Sequence, residues 1–270
     1  MSWLQTPATD TQITHGARLW LYVVAVLVMV LLVIPTLLVI PMSFSASQYL
    51  EFPPREWSLR WYKSYFNSTA WMQATVTSLK AGVLTALLAT PLATMAAYGL
   101  HVSRLRHANL LLMLLLTPMV VPVILIGIGV FYAYVKLKLV NSMLGLVLAH
   151  SMLAIPVVML VVASALKSFD LDQELVARSL GASRIKAFWM VTLPQIKFSV
   201  VTGAVLAFLT SFDEIIVSLF VSGGDNSTLT RNMFNALRDQ VDPTIAAIST
   251  LIVLATTVLL VITQYAGRGK

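Results

Sequence analysis

The stretch LVNSMLGLVLAHSMLAIPVVMLVVASAL, residues 139–166, contains no Asp, Glu, Lys or Arg. It runs directly into KSFDLDQELVARSLGASRIKAFWMVTLPQIK, residues 167–197, where charged and apolar residues are mixed throughout. A hydrocarbon core of about 30 Å is crossed by about 20 helical residues. A charge at its centre costs roughly 2.5–3.5 kcal/mol on insertion scales. The first stretch therefore reads as a membrane-spanning helix, and the second as a folded segment that the bilayer excludes.

Working outward, residues 19–42, 81–100, 108–135 and 243–266 are also free of charged side chains, and residues 198–224 are interrupted only by Asp213 and Glu214. The expectation is an all-α, polytopic membrane protein: six transmembrane helices in one transmembrane domain over 1–270, with 167–197 outside the bilayer. Spans of a β-barrel would alternate polar and apolar residues over about 10 positions, and these runs do not. The first run, 19–42, is too long for the 7–15-residue core of a signal peptide and reads as an uncleaved anchor.

Composition agrees. Hydrophobic residues make up 58% of the chain and charged ones 11%, with a mean hydropathy of +0.85; soluble domains carry about 25% charged residues. There is no cysteine, so disulfides, thiolate metal sites and thiol nucleophiles are excluded. The net charge of +7 comes from 18 Lys and Arg scattered over short loops, a distribution that suits topology and anionic headgroups rather than nucleic acid. With the N-terminus inside, ten of the 18 fall inside, Arg104 and Lys270 among them, and eight outside. That small excess points to a cytoplasmic face for 167–197. His15, His101, His107 and His150 form no His-x-x-x-His or His-Glu pair, and no Walker phosphate-binding sequence is present. The sequence thus predicts no catalytic, metal or cofactor site of its own.

Two loops are longer than a connection needs. Residues 43–80 hold Trp57, Trp61, Tyr62, Tyr65, Phe66 and Trp71; these rings suit the outer headgroup layer or an aromatic ligand cage. Residues 167–197 read as two short helices. Asp170 or Asp172 is placed to cap the first, Gly181 to end it, Ser183 to cap the second, and Pro194 follows its last turn. Small residues at Ala177, Gly181 and Ala182 allow close approach by a partner. A simple connector would need 2–8 residues.

Glu174-Leu-Val-Ala-Arg-Ser-Leu-Gly181 followed by Val191-Thr-Leu-Pro194 resembles the cytoplasmic loop signature of permease subunits in binding-protein-dependent ABC importers. In that signature Glu-Ala-Ala precedes a Gly by four residues and a Leu-Pro pair follows thirteen residues later. Ala177, Gly181, Leu193 and Pro194 match it, whereas Leu175 and Val176 stand where the pattern has Glu and Ala. Trp57-Ser-Leu-Arg-Trp-Tyr62, Leu148 to Pro156, Ser211-Phe-Asp-Glu214 and Thr228 to Asp242 are similar to the spermidine/putrescine branch. The resemblance implies a type I importer permease fold and coupling to an ATPase through Glu174, Ala177, Gly181, Ala182, Leu193 and Pro194. It implies a second permease subunit, two ATPase subunits carrying ATP and Mg, and a periplasmic or extracellular solute-binding protein. It also implies a multi-pass location in the bacterial inner membrane and a polyamine or related amine as solute.

Asp213, Glu214 and His150 are the polar residues of the path region. Asp213 falls about 22 Å along a helix counted from Phe198, and intramembrane acids usually face a bundle interior or water-filled cavity. Neighbouring positions differ by about 100°, so the two acids would point apart, one lining a path and the other pairing with a base such as Lys80, or both bracing helices. His150 fits interhelical hydrogen bonding or solute contact. Pro35, Pro91, Pro118, Pro122 and Pro156 lie within spans, where they kink or widen a path or are passive. Better-known polyamine permeases carry an acidic residue just after the second proline of Thr117-Pro-Met-Val-Val-Pro122, where this chain has Val123, so other small organic solutes stay open. A secondary transporter or channel is the rival class. Such folds often carry two related halves, which this sequence does not display.

Overall fold

The computed structural model describes residues 14–103, 106–239 and 241–268; Arg104 and Lys270, counted above, lie outside the described residues. These divide into two compact units, residues 14–65 with 241–260, and residues 66–239 with 261–268.

In the first unit α1 (Leu19–Met42) is apolar on every face and none of its residues is buried within the chain, as lipid contact permits. After it, an antiparallel bridge joins Ser45 to Trp57. Tyr62 meets Ser43 Oγ at 2.7 Å, and Trp61 Nε1 donates to the Ser47 carbonyl at 3.1 Å. The aromatic loop is thus divided: Trp61 and Tyr65, on α2 (Arg60–Asn67), turn inward, while Trp57 is 68% exposed.

The second unit is built on three interlocked helices. α3 (Thr69–Val102) starts where Ser68 accepts from the Trp71 N–H. Its 34 residues rise about 51 Å, so it extends well past the expected span of 81–100. Its buried positions include Ala81, Thr85, Ala89, Ala93 and Ala97, four apart and hence on one face. Ala89, Ala93 and Ala97 pack with Ala154, Val158, Val162 and Leu166 of α6 (Met143–Lys167) and with Ile196 and Ala207 of α9 (Leu193–Phe212). A Cβ on Gly203 of α9 would lie 2.9 Å from Val158 Cγ1. Small residues therefore set the spacing of these helices, as in membrane bundles generally.

The run 108–135, expected as one span, is two helices: α4 (Ala108–Leu116) and α5 (Val123–Leu137), joined by a 3₁₀ turn at Thr117–Met119 and bent by 93°. Pro118 and Pro122 explain the break, since each removes an N–H from the helical ladder and its ring opposes the preceding turn. The run 198–224 is also broken. α9 stops at Phe212, and the short α10 (Ile216–Val221) begins after Asp213, Glu214 and Ile215. α10 packs on α5 through Val217, Val221, Ile126 and Val130, and a Cβ on Gly127 would meet the Phe220 ring at 2.7 Å. The amphipathic α11 (Leu229–Asp239) follows. α12 (Thr244–Arg268) starts in the first unit, where Asp242 accepts from the Thr244 N–H at 2.8 Å. Among the described residues four helices are long and apolar enough to cross a membrane, five if the bent pair is counted as one.

Between α6 and α9 lie α7 (Asp172–Ser179) and α8 (Arg184–Ala187). The second does not end before Pro194. Instead α8 widens into a π-helical turn, Phe188–Thr192, and continues into α9 with Pro194 in its first turn. The wide turn accommodates the proline, whose ring and missing N–H would otherwise break an α-helical ladder.

Candidate functional site

The loop between α6 and α9 is held by local chemistry at each end of α7. Asp170 Oδ1 accepts from the Asp172 N–H at 3.0 Å, so Asp170 supplies the side-chain contact at the start of the helix. At the far end Gly181 has φ +95°, its N–H reaches the Arg178 carbonyl (3.0 Å), and the Ala182 N–H reaches the Ala177 carbonyl (3.1 Å). That pair of bonds is the Schellman termination, which requires a left-handed residue. Ser183 Oγ then accepts from the Lys186 N–H at 3.3 Å and starts α8.

This arrangement separates an outward face from an inward one. Leu175, Val176, Leu180 and Ile185 are exposed, Leu180 at 84%, and Gly181 sits at the exposed tip beside it. Glu174 is 3% exposed: its Oε1 accepts from the Tyr98 hydroxyl at 2.7 Å and its Oε2 from Thr192 Oγ1 at 3.0 Å. The Tyr98 ring lies against Phe188 with centroids 4.6 Å apart. Glu174 thus binds α7 to both α3 and the π-helical turn, and Leu193 packs against the α3–α6–α9 core. Ala177 and Ala182 are half-buried at the turn, and Pro194 is exposed. Of the six residues named from the loop pattern, Gly181 and Pro194 face outward, while Glu174 and Leu193 join the loop to the bundle. Tyr98 and Thr192, the partners of Glu174, carried no signal in sequence spacing. Beside this joint a cleft of about 550 Å³ is lined by His101, Leu171, Glu174, Leu175, Arg178 and Arg184, among others.

The second constellation lies at the break between α9 and α10. The Glu214 carboxylate accepts from the Val217 and Ser218 N–H groups, both at 2.9 Å, and so caps α10. The Glu214 carbonyl accepts from Thr230 Oγ1 at 3.0 Å. His150 of α6 is fully buried; its Nδ1 is 2.7 Å from Ser211 Oγ on α9 and its Nε2 is 3.0 Å from Ser218 Oγ on α10. The same Nε2 is 3.7 Å from Glu214 Oε2. Asp213 is exposed. The expected pairing of an acid with Lys80 is absent among the described residues: Lys80 is exposed on α3, and α10 takes up the Glu214 carboxylate. The 100° separation reasoned from a continuous helix does not apply, because α9 ends at Phe212, before both acids. Among the described residues no three His, Asp or Glu side chains gather as they would around a metal ion.

Residues 89–268 match the family of binding-protein-dependent transport system inner membrane components, and the chain belongs to that family. It is 32% identical over 240 residues to the putrescine transport system permease protein PotI of Escherichia coli K12, covering 86% of this chain and 85% of that protein. It is 28% identical over 238 residues to the spermidine/putrescine transport system permease protein PotC of Haemophilus influenzae, covering 88% and 92%. In fold it matches a bacterial ABC transporter involved in the import of the acidic polysaccharide alginate, with a TM-score of 0.68 over 95% of this chain and 98% of that one at 14% identity. The chain is therefore a permease subunit, an inner membrane component, of a binding-protein-dependent ABC importer.

Proposed function

We propose that this chain crosses the bacterial inner membrane six times and forms half of the path by which a polyamine or related amine enters the cell. A second permease subunit supplies the other half. Two ATPase subunits binding ATP and Mg dock on the α7–α8 loop, and a solute-binding protein delivers the amine from outside. The observation that carries this reading is the loop: an exposed apolar tip at Leu180 and Ile185, turned at Gly181, is rooted through Glu174 to α3 and to the start of α9. A tip free to enter a partner, with a base bound to the helices that must move, suits the transfer of ATPase closure to the bundle. The amine follows from the relatives named for putrescine and spermidine and from an exposed carboxylate, Asp213, at a break inside an otherwise apolar run.

Reconstitution of the chain with its partner subunits tests both halves. Putrescine uptake that requires ATP and the loaded binding protein is the expected result. Uptake by this chain alone in ATP-free liposomes would indicate a secondary transporter, and ATP-driven uptake of another solute class would displace the amine.

A further inference from the structure

A helix that stops inside a bilayer leaves backbone N–H and C=O groups without partners, and no water is there to take them up. The break between α9 and α10 meets this need with one backbone bond and with side chains. The Asp213 N–H is kept by the Leu209 carbonyl, the Val217 and Ser218 N–H groups by the Glu214 carboxylate, and the Glu214 carbonyl by Thr230. Broken helices furnished in this way are where membrane transporters place solute contacts. The two acids divide the work: Glu214 is committed to α10, while the exposed Asp213 carboxylate has no ion pair or hydrogen bond among the described residues.

We infer that His150 is the positioning residue of this break: it fixes α9 against α10 and so aims the Asp213 carboxylate at the ammonium group of the solute. Both ring nitrogens are engaged, and their partners Ser211 and Ser218 lie on opposite sides of the gap. His150 itself is 0% exposed and has no face to offer a solute, so its influence passes through the geometry of the break. Its anchor is firm. Neighbouring Ala149 and Leu146 of α6 pack with Ala81 of α3 and with Val217 and Val221 of α10, and Ala154 and Val158 of α6 belong to the α3–α6–α9 core.

The inference rests on the amine reading, and the test separates the two. The chain has no cysteine, so Asp213→Cys in the complete transporter places a single thiol in the break. His150→Ala should change its reaction rate with a water-soluble thiol reagent, and His150→Gln, which keeps a donor and an acceptor, should restore much of it. This measurement needs no solute. Rates equal in all three backgrounds would overturn the inference. In the transporter without the added cysteine, His150→Ala and Asp213→Asn should each lower putrescine kcat/KM, by about tenfold or more for the lost charged contact. The loss should appear mainly in KM, and the double variant should be no worse than Asp213→Asn. Ser218→Ala, a smaller change to the same network, should reproduce part of the His150→Ala effect. Additive losses would show His150 to be a packing residue acting independently of Asp213. If the wild-type complex imports no amine, the amine reading falls, and the thiol measurement still decides whether His150 sets the break.

Discussion

Tyr98 donates a 2.7 Å hydrogen bond to the buried carboxylate of Glu174, joining the end of α3 to α7 across 76 positions of the chain. Thr192 supplies the second donor from the π-helical turn. A displacement of the loop is therefore felt by two helices of the three-helix core. Leu175, its neighbour, points outward at 55% exposure and stands where the loop pattern of the family has its glutamate. In this chain the acid one position earlier is turned inward and holds the loop to the bundle.

Tyr98→Phe should uncouple the importer without unfolding it. The substitution keeps the ring against Phe188 and removes one of two donors to a buried carboxylate, at a cost of about 1–3 kcal/mol. Purified complex is expected to show a lowered melting temperature, a near-normal basal ATPase rate and fewer solutes moved per ATP hydrolysed. An unchanged transport-to-hydrolysis ratio would reduce the Tyr98–Glu174 bond to local packing.

Single cysteines at Leu180 and Ile185 should react with membrane-impermeant thiol reagents from the cytoplasmic side, because both side chains are exposed at the loop tip, at 84% and 73%. Addition of the ATPase subunits should protect both. Reaction only from outside would invert the topology and remove the loop from reach of any ATPase.

Asp213→Asn and Glu214→Ala should fail in different ways. The Asp213 carboxylate makes no hydrogen bond or ion pair among the described residues, so Asp213→Asn is expected to assemble at wild-type yield with putrescine uptake impaired mainly in KM. Glu214→Ala removes the cap of α10, worth about 0.5–2 kcal/mol in soluble helices and more where water cannot replace it. It should lower the amount of assembled complex. Equal assembly and equal uptake in both variants would leave the break without a functional role.

The contrast between these elements shows what the sequence carries and what packing adds. The apolar runs were legible because the bilayer penalises each charge independently of context, and hydropathy sums over that penalty. The same sum is blind to direction, so the 93° turn at Thr117–Met119 and the break after Phe212 were invisible to it, although Pro118 and Asp213 marked both places. Gly181 and Ser183 were legible because a left-handed termination and a helix cap are satisfied within a few residues. Pro194 misled for a related reason: the local rule stops a helix there, while the π-helical turn lets the chain pass. The Tyr98–Glu174 and His150–Ser218 bonds depend on how α3 and α6 pack against segments far along the chain, and no spacing encodes that.

Gly181→Val should separate ATP hydrolysis from transport. Gly181 sits at φ +95° with open space around it: a Cβ there would meet no atom within 4 Å. The penalty is therefore conformational rather than steric, about 1–2 kcal/mol for an L-residue in the left-handed region, and greatest for a β-branched side chain. Both bonds of the termination, Gly181 N–H to Arg178 and Ala182 N–H to Ala177, depend on that φ. Forcing the residue toward negative φ breaks this termination and spoils the tip, while the apolar runs that drive membrane insertion are untouched. The variant should insert, assemble and hydrolyse ATP at a basal rate, yet neither import solute nor respond to loaded binding protein. Gly181→Asn, a residue that enters the left-handed region more readily, should retain most of the transport. Side-by-side transport and ATPase measurements in reconstituted membranes check this, and full solute-stimulated hydrolysis with normal uptake in Gly181→Val would make the loop a simple connector.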